Sequence, residues 1–213
     1  GDRAHQQAIQ RLRDGGTRVT FYVHDLIPLT HPTLFPKMTV SSIRAGFLSH
    51  TDLVLASDYL VANSHATLKE FELLEALMGG RPGLIRKVVY PVLKAPQQNP
   101  NQSSTELLPQ RRFSSDSIQL LGVGALDERK NFRVALKAFL ILLSMGMDVT
   151  LTIVGGPAKG IDPQIAALLS QMTEPQRARL RLLGALSDEN LQAEYSAADV
   201  VLVPSHAEGF GLP

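Results

Sequence analysis

The chain contains no cysteine, which removes disulfide frameworks, thiolate zinc sites and cysteine nucleophiles together. Such usage fits a cytosolic protein. Neither sign of charge is in excess: 21 Lys and Arg stand against 20 Asp and Glu. The balance is also even along the chain, with 10 basic to 8 acidic residues in 1–93 and 8 to 10 in 118–213. No basic face or acidic tail is visible, so nucleic acid is not expected as a partner. Long apolar runs are missing as well. The longest, 138–143, is far short of the roughly 18 residues that a membrane-spanning helix needs. The opening residues, Gly1 to His5, hold no basic start followed by an apolar segment, so no secretory signal is expected. They read instead as a helix running into a strand, and the chain is expected to begin within a domain. No strand candidate leads into Gly-x-Gly-x-x-Gly at the start of a helix, which ranks a dinucleotide oxidoreductase low.

What is present is an ordinary globular composition. The 213 residues, 44% of them hydrophobic, suffice for one large or two small domains with buried cores. Residues 94–117 are rich in Pro, Gln, Asn and Ser without any apolar period, and they read as a linker. A long surface loop inside one domain is the alternative. After it, strands at 118–123, 149–154, 179–183 and 199–203 alternate with helices at 131–145, from Pro163, and at 187–197. Asp162 and Ser187 stand as N-caps, and Pro163 occupies the first helical position, where its missing N–H costs nothing. Before the linker the same alternation is less complete. Helices are expected at 4–13, 37–50 and after the N-cap Ser64, where Leu68, Phe71, Leu74 and Met78 share a side. Strands are expected at 18–23, 59–62 and 87–90. Strands that alternate with helices imply parallel sheets covered by helices.

Ligands of such folds gather at the carboxyl ends of the strands. At the first of these, Gly124 turns the chain and Asp127-Glu128-Arg129-Lys130-Asn131 brings two adjacent cations to the start of a helix. Cations beside free helix amides suit a phosphate; two solvated surface cations are the bland alternative. At the second, Glu208-Gly209-Phe210-Gly211-Leu212-Pro213 sets two glycines around one aromatic. Backbone amides there can approach a ligand, and the carboxylate can accept hydrogen bonds from sugar hydroxyls; a plain turn is the alternative. The third is Tyr22-Val23-His24-Asp25, an ionisable pair directly after a strand. Its alternative role is to stabilise the following loop through a hydrogen-bonded histidine.

The order of these segments carries a resemblance. Gly-Ala-Leu-Asp-Glu-Arg-Lys-Asn, Leu-Thr-Ile-Val-Gly-Gly, Leu-Leu-Gly-Ala-Leu-Ser-Asp-Glu-Asn-Leu, Tyr-Ser-Ala-Ala-Asp-Val-Val-Leu-Val-Pro-Ser and Glu-Gly-Phe-Gly-Leu-Pro together resemble the family-4 retaining glycosyltransferases. Val-His-Asp-Leu-Ile-Pro-Leu and Asp-Tyr-Leu-Val-Ala-Asn-Ser extend the likeness towards the mannosyltransferase-type subgroup. The resemblance covers residues 17–93 and 118–213. It implies the GT-B architecture, two Rossmann-like α/β domains facing each other. Both are expected to be incomplete here: 1–93 as the later part of an acceptor-side domain, 94–117 as linker, and 118–213 as the earlier part of a donor-binding domain.

The resemblance also implies roles. Lys130, with Arg129 and the turn at Gly124, would hold the donor diphosphate. Glu208 and the amides of Gly209, Phe210 and Gly211 would meet the donor hexose. Ala185, Leu186 and Ser187 would line the nucleobase, and His24 would reach the sugar from the opposite domain. His24, Lys130 and Glu208 are thus the expected catalytic group, in a metal-independent enzyme without a cofactor whose nucleotide-sugar substrate is expected to be GDP-mannose. A glycan or lipid-linked acceptor is implied, at a cytoplasmic location or the inner face of a membrane. The sequence departs from the family in two places. Ala125 occupies the slot that often holds an arginine, and a second glutamate eight residues after Glu208 lies beyond Pro213, so the chain alone is expected to be inactive. A sugar-nucleotide epimerase and a non-catalytic nucleotide-sugar binding module remain as alternatives.

Overall fold

A computed structural model of the chain describes residues 2–35, 41, 54, 57–77, 79, 83–92, 117–156 and 161–211. The expected helix at 37–50 apart from residue 41, Met78 and nearly all of the expected linker lie outside these residues. The chain divides into two compact units. Gly1–Lys94 and Ala207–Leu212 form the first; Ala95–His206 and Pro213 form the second. Residues 207–212 group with the first unit, so the division differs from the expected donor-side domain 118–213.

The first unit is built on a parallel sheet of three strands, β1 (Thr20–Val23), β2 (Tyr59–Ala62) and β3 (Ile85–Val88), in the order β1-β2-β3. Helix α1 (Asp2–Asp14) precedes β1, the single turn α2 (Ile27–Thr30) follows it, and α3 (His65–Leu77) joins β2 to β3. Leu60 and Phe71 are fully buried, with Val23, Leu26, Val54 and Leu84 around them. Strand β3 runs two residues earlier than the expected 87–90. It pairs with β2 from Tyr59↔Ile85 through Ala62↔Val88, and the ladder closes with Val89 N donating to the Ala62 carbonyl at 2.9 Å. Along α3, Phe71 is buried as expected and Leu68 and Leu74 are half-buried. Thr67 and Glu75 are buried as well, each with a polar partner. Arg86 of β3 donates to both carboxylate oxygens of Glu75, at 2.6 Å and 3.1 Å, which offsets the cost of burying that charge.

The second unit carries a four-stranded parallel sheet, β4 (Ile118–Val123), β5 (Val149–Val154), β6 (Leu180–Leu183) and β7 (Val200–Leu202), in the order β6-β5-β4-β7. The connecting helices are α4 (Phe132–Ser144), α5 (Pro163–Gln171), the short α6 (Glu174–Arg177) and α7 (Asp188–Ala197). Helix α6 was not expected from sequence. Strand β5 is buried along most of its length because it pairs on both sides. Phe132, Leu136 and Phe139 of α4 and Ile165 of α5 close over β4 and β5. The expected caps form: the side chain of Asp162 accepts from Gln164 N at 2.7 Å, and that of Ser187 from Asn190 N at 3.3 Å. In α7, Tyr195 is half-buried, and burial pushes its phenol above the ordinary value of 10.0.

The two units start a strand in the same way. Asp58 N donates to the Val19 carbonyl while its carboxylate accepts from Val19 N. Asp199 N donates to the Gln119 carbonyl while its carboxylate accepts from Gln119 N. Each aspartate thereby closes the open end of a ladder, where an unmatched buried amide would otherwise cost free energy. Both sheets are parallel and helix-connected, so the carboxyl ends of their strands form one edge in each unit. Every candidate site residue lies just beyond such an edge or in the 207–212 segment.

Candidate functional site

In the second unit the loop after β4 is built around backbone that only glycine adopts easily. Gly124 has φ 149° and donates its N–H to the Val154 carbonyl at 2.8 Å. Leu126, 3% exposed, anchors the loop in the core. Asp127 then accepts from Lys130 N through Oδ1 at 3.0 Å, turning the chain into α4. Asn131, at the head of α4, has φ 52° and donates from Nδ2 to the Pro204 carbonyl at 3.1 Å. His206 N donates to the Arg129 carbonyl at 2.9 Å. The loops after β4 and β7 are thus fastened to each other on both sides of Lys130.

The consequence is a sequestered cation. Lys130 is 8% exposed, and its stem lies across Gly124: a Cβ on that glycine would meet Cε at 3.0 Å and Cδ at 3.1 Å. Arg129 beside it is half-buried. These residues stand where α4 begins, and a helix N-terminus favours negative charge. The structure places the stem of Lys130 against Gly124, with the half-buried Arg129 next to it in the chain.

Gly155 completes this end of the sheet. It has φ 122° and donates to the Leu183 carbonyl at 2.9 Å. A side chain on it would collide with the backbone of Gly124, whose carbonyl carbon would lie 2.7 Å away. The available signal was a glycine pair directly after a strand. Ala185, Leu186 and Ser187 follow β6 on the same edge, two strands from Gly124. Leu186 is half-buried, while Ala185 and Ser187 are exposed.

The other candidates belong to the first unit. His24 is exposed just after β1, its ring edge-on to Tyr22 with centroids 4.8 Å apart. The following loop is held by Asp25, whose Oδ1 accepts from Ile27 N at 3.2 Å. Glu208 and Gly209 are half-buried, and Phe210 and Gly211 are exposed. Gly209 sits against the backbone of His24 so closely that a Cβ would collide with the His24 carbonyl oxygen and lie 3.0 Å from Asp25 Cβ. Ser64 Oγ donates to the Gly209 carbonyl at 2.9 Å. Phe210 packs on Tyr90, with centroids 5.8 Å apart, and Tyr90 on His65 at 6.1 Å. His24 and the 208–211 segment are thus joined through Gly209, a contact that no spacing in the sequence reveals.

The sequence model of the family described as Glycosyl transferases group 1 matches residues 103–213, over half of the chain. A D-inositol 3-phosphate glycosyltransferase of Acidothermus cellulolyticus is 34% identical over 78% of this chain and 37% of its own length. A serotype-specific mannosyltransferase of Escherichia coli is 26% identical over 96% of this chain and 25% of its own length. Among solved structures, a UDP-forming α,α-trehalose-phosphate synthase from Burkholderia xenovorans superposes with a TM-score of 0.62 at 17% identity, covering 94% of this chain and 51% of the other. That likeness shows the α/β fold with parallel sheets of the GT-B enzymes. The chain spans between about a quarter and two fifths of the length of these curated relatives.

Proposed function

The chain belongs to the glycosyl transferases group 1 family, and on that premise we propose that it is part of an enzyme that moves a hexose from a nucleotide sugar to a glycan or lipid-linked acceptor with retention of configuration. The observation that carries this reading is the buried Lys130 lying across Gly124 at the exit of β4 and the start of α4. A lysine whose stem is packed in place and largely shielded from water presents a preorganised cation suited to negative charge that develops during a reaction.

The proposed roles follow the strand ends. Lys130 and Arg129, beside the Gly124 turn, bind the donor diphosphate. Ala185, Leu186 and Ser187 flank the nucleobase; they lie two strand spacings from β4, about 10 Å, which suits the span of a nucleoside. Glu208, Gly209, Phe210 and Gly211 contact the hexose, with His24 beside them. In the chemical step the bond between the anomeric carbon and the diphosphate oxygen breaks, and its electron pair leaves with the diphosphate. The acceptor hydroxyl oxygen forms its new bond on the same face and passes its proton to the departing diphosphate. Lys130 stabilises the charge growing on that group, so protein cations serve where other enzymes use a metal.

Mannose, delivered from GDP-mannose, is the proposed hexose, supported by the 26% identical relative that is itself a mannosyltransferase. Among the described residues no helix is long and apolar enough to cross a membrane. A cytoplasmic location, with peripheral contact at the inner membrane face, is part of the same proposal. The test is incubation of the full-length protein with GDP-mannose, UDP-glucose or ADP-glucose and a panel of glycan acceptors. Release of nucleoside diphosphate together with an α-linked product supports the reading. Interconversion of sugars without any acceptor would assign the protein to the epimerases instead.

A further inference from the structure

We infer that Ser64 is a positioning residue for the donor-sugar segment: its hydroxyl holds the Gly209 carbonyl and thereby sets where Glu208 stands. This rests on the assignment of Glu208 to the donor hexose proposed above. Ser64 lies between β2 and α3, and its Oγ has two tasks. It accepts from Thr67 N at 3.1 Å, capping α3, and it donates to the Gly209 carbonyl at 2.9 Å. The hydroxyl carries one proton. The neighbouring Thr67 hydroxyl, buried in the same network, has its own acceptor in Asn63 Oδ1 at 2.9 Å and stands at 3.4 Å from the Gly209 carbonyl. Ser64 Oγ also stands 3.0 Å from Thr67 Oγ1, so its one proton has two acceptors in range, of which the Gly209 carbonyl at 2.9 Å is the nearer and, as an amide oxygen, the stronger.

A simple cap does not require this second bond. Serine, threonine, aspartate and asparagine all serve at a helix N-terminus, but only a group that also donates can hold a carbonyl. The seat is tight on its other side as well, because the His24 backbone and Asn63 Nδ2, 3.3 Å from a Cβ on Gly209, leave no room for a side chain. The hydrogen bond from Ser64, closer than the Thr67 hydroxyl at 3.4 Å, thus holds the peptide between Gly209 and Phe210, directly after Glu208. Losing it lets the carboxylate leave its place without unfolding the unit.

The two tasks of Ser64 separate by substitution. In Ser64→Asp the carboxylate still caps α3 but has no proton for Gly209; Ser64→Thr keeps both functions. Full-length wild-type protein and both variants are titrated calorimetrically with GDP, UDP and ADP and with GDP-mannose, UDP-glucose and ADP-glucose, and their thermal midpoints are measured. The expected result is an unchanged midpoint in Ser64→Asp, unchanged affinity for the bare nucleoside diphosphate, and about tenfold weaker binding of the matching nucleotide sugar. Ser64→Thr is expected to behave as wild type. Wild-type affinity for the nucleotide sugar in a folded Ser64→Asp protein overturns the inference and leaves the proposed function standing. Failure of the wild type to bind any nucleotide sugar overturns both. A variant that loses both ligands equally reports a structural role and also overturns it.

Discussion

The side chain of Lys130 lies along the α-carbon of Gly124, close enough that a Cβ on the glycine would stand 3.0 Å from Cε. The absence of one methyl group therefore places the cation. Gly124→Ala is expected to weaken nucleoside diphosphate binding about tenfold, both by displacing Lys130 and by straining backbone held at φ 149°. Titration calorimetry with the best-bound nucleotide checks it; unchanged affinity would separate Lys130 from the ligand.

Removal of the charge itself has a larger predicted effect. In a form of the protein that turns over, Lys130→Ala is expected to lower kcat by about 100- to 1,000-fold, the usual loss for one transition-state donor. Steady-state rates with donor and acceptor saturating provide the measurement. A near-normal rate would contradict the role.

Gly122 tests the packing beneath this loop. A Cβ there would meet Phe132 Cε1 at 2.5 Å, and Phe132 is 1% exposed. Gly122→Ala should destabilise the second unit by about 1–3 kcal/mol, the range for overfilled cores. Denaturant unfolding followed in a chain carrying the substitution checks this value.

In the first unit the Glu75 side chain is 5% exposed and relies on Arg86, itself 30% exposed. Arg86→Met removes the two hydrogen bonds that this buried carboxylate accepts from the guanidinium and is expected to cost about 1–3 kcal/mol. Replacing both residues, as Glu75→Leu with Arg86→Met, should recover much of that loss. Unfolding curves of the single and double variants measure the difference.

A pH effect is expected at Asp58. The N–H of Val19 holds its carboxyl below the ordinary value of 3.8; burial opposes the shift, and the charges of Arg13 and Arg18 add to it. A depressed folded pKa gives stability that is present above the unfolded value and lost as pH falls through the folded one. Asp58→Asn should therefore flatten the stability profile below about pH 4 while leaving its shape near neutrality unchanged. Thermal midpoints across pH 2–7 read the difference, and an unaltered acid limb would count against the bond to Val19.

Much of the second unit is legible in the sequence because its strands are rich in branched apolar residues and its helices carry local signals. Asp162 and Ser187 cap where their spacing places them, since a cap depends on residues only two or three positions away. Strand β3 was shifted because its limits depend on pairing with β2, which is not local. The 207–212 segment follows β7 directly in sequence, although its contacts lie with the first unit. Ser64 shows both sides of this limit. Its cap could be read from its neighbours, but its bond to Gly209, 145 positions away, depends on the tertiary fold. Lys130 is identifiable in sequence as a cation near a turn, whereas its packing on Gly124 and the bonds from its neighbours Arg129 and Asn131 to the loop after β7 depend on the tertiary fold.

The most direct test of the central claim is thermal stabilisation of the full-length protein by GDP, UDP and ADP, each beside its nucleoside, in wild type and in Lys130→Ala. A ligand at 100 times its Kd that binds only the folded state adds about 2.7 kcal/mol. The predicted result is a rise of several degrees with one diphosphate, little with its nucleoside, and loss of that rise in Lys130→Ala. Equal stabilisation of wild type and variant, or no rise with any nucleotide, would contradict the assignment of this strand end to a nucleotide diphosphate.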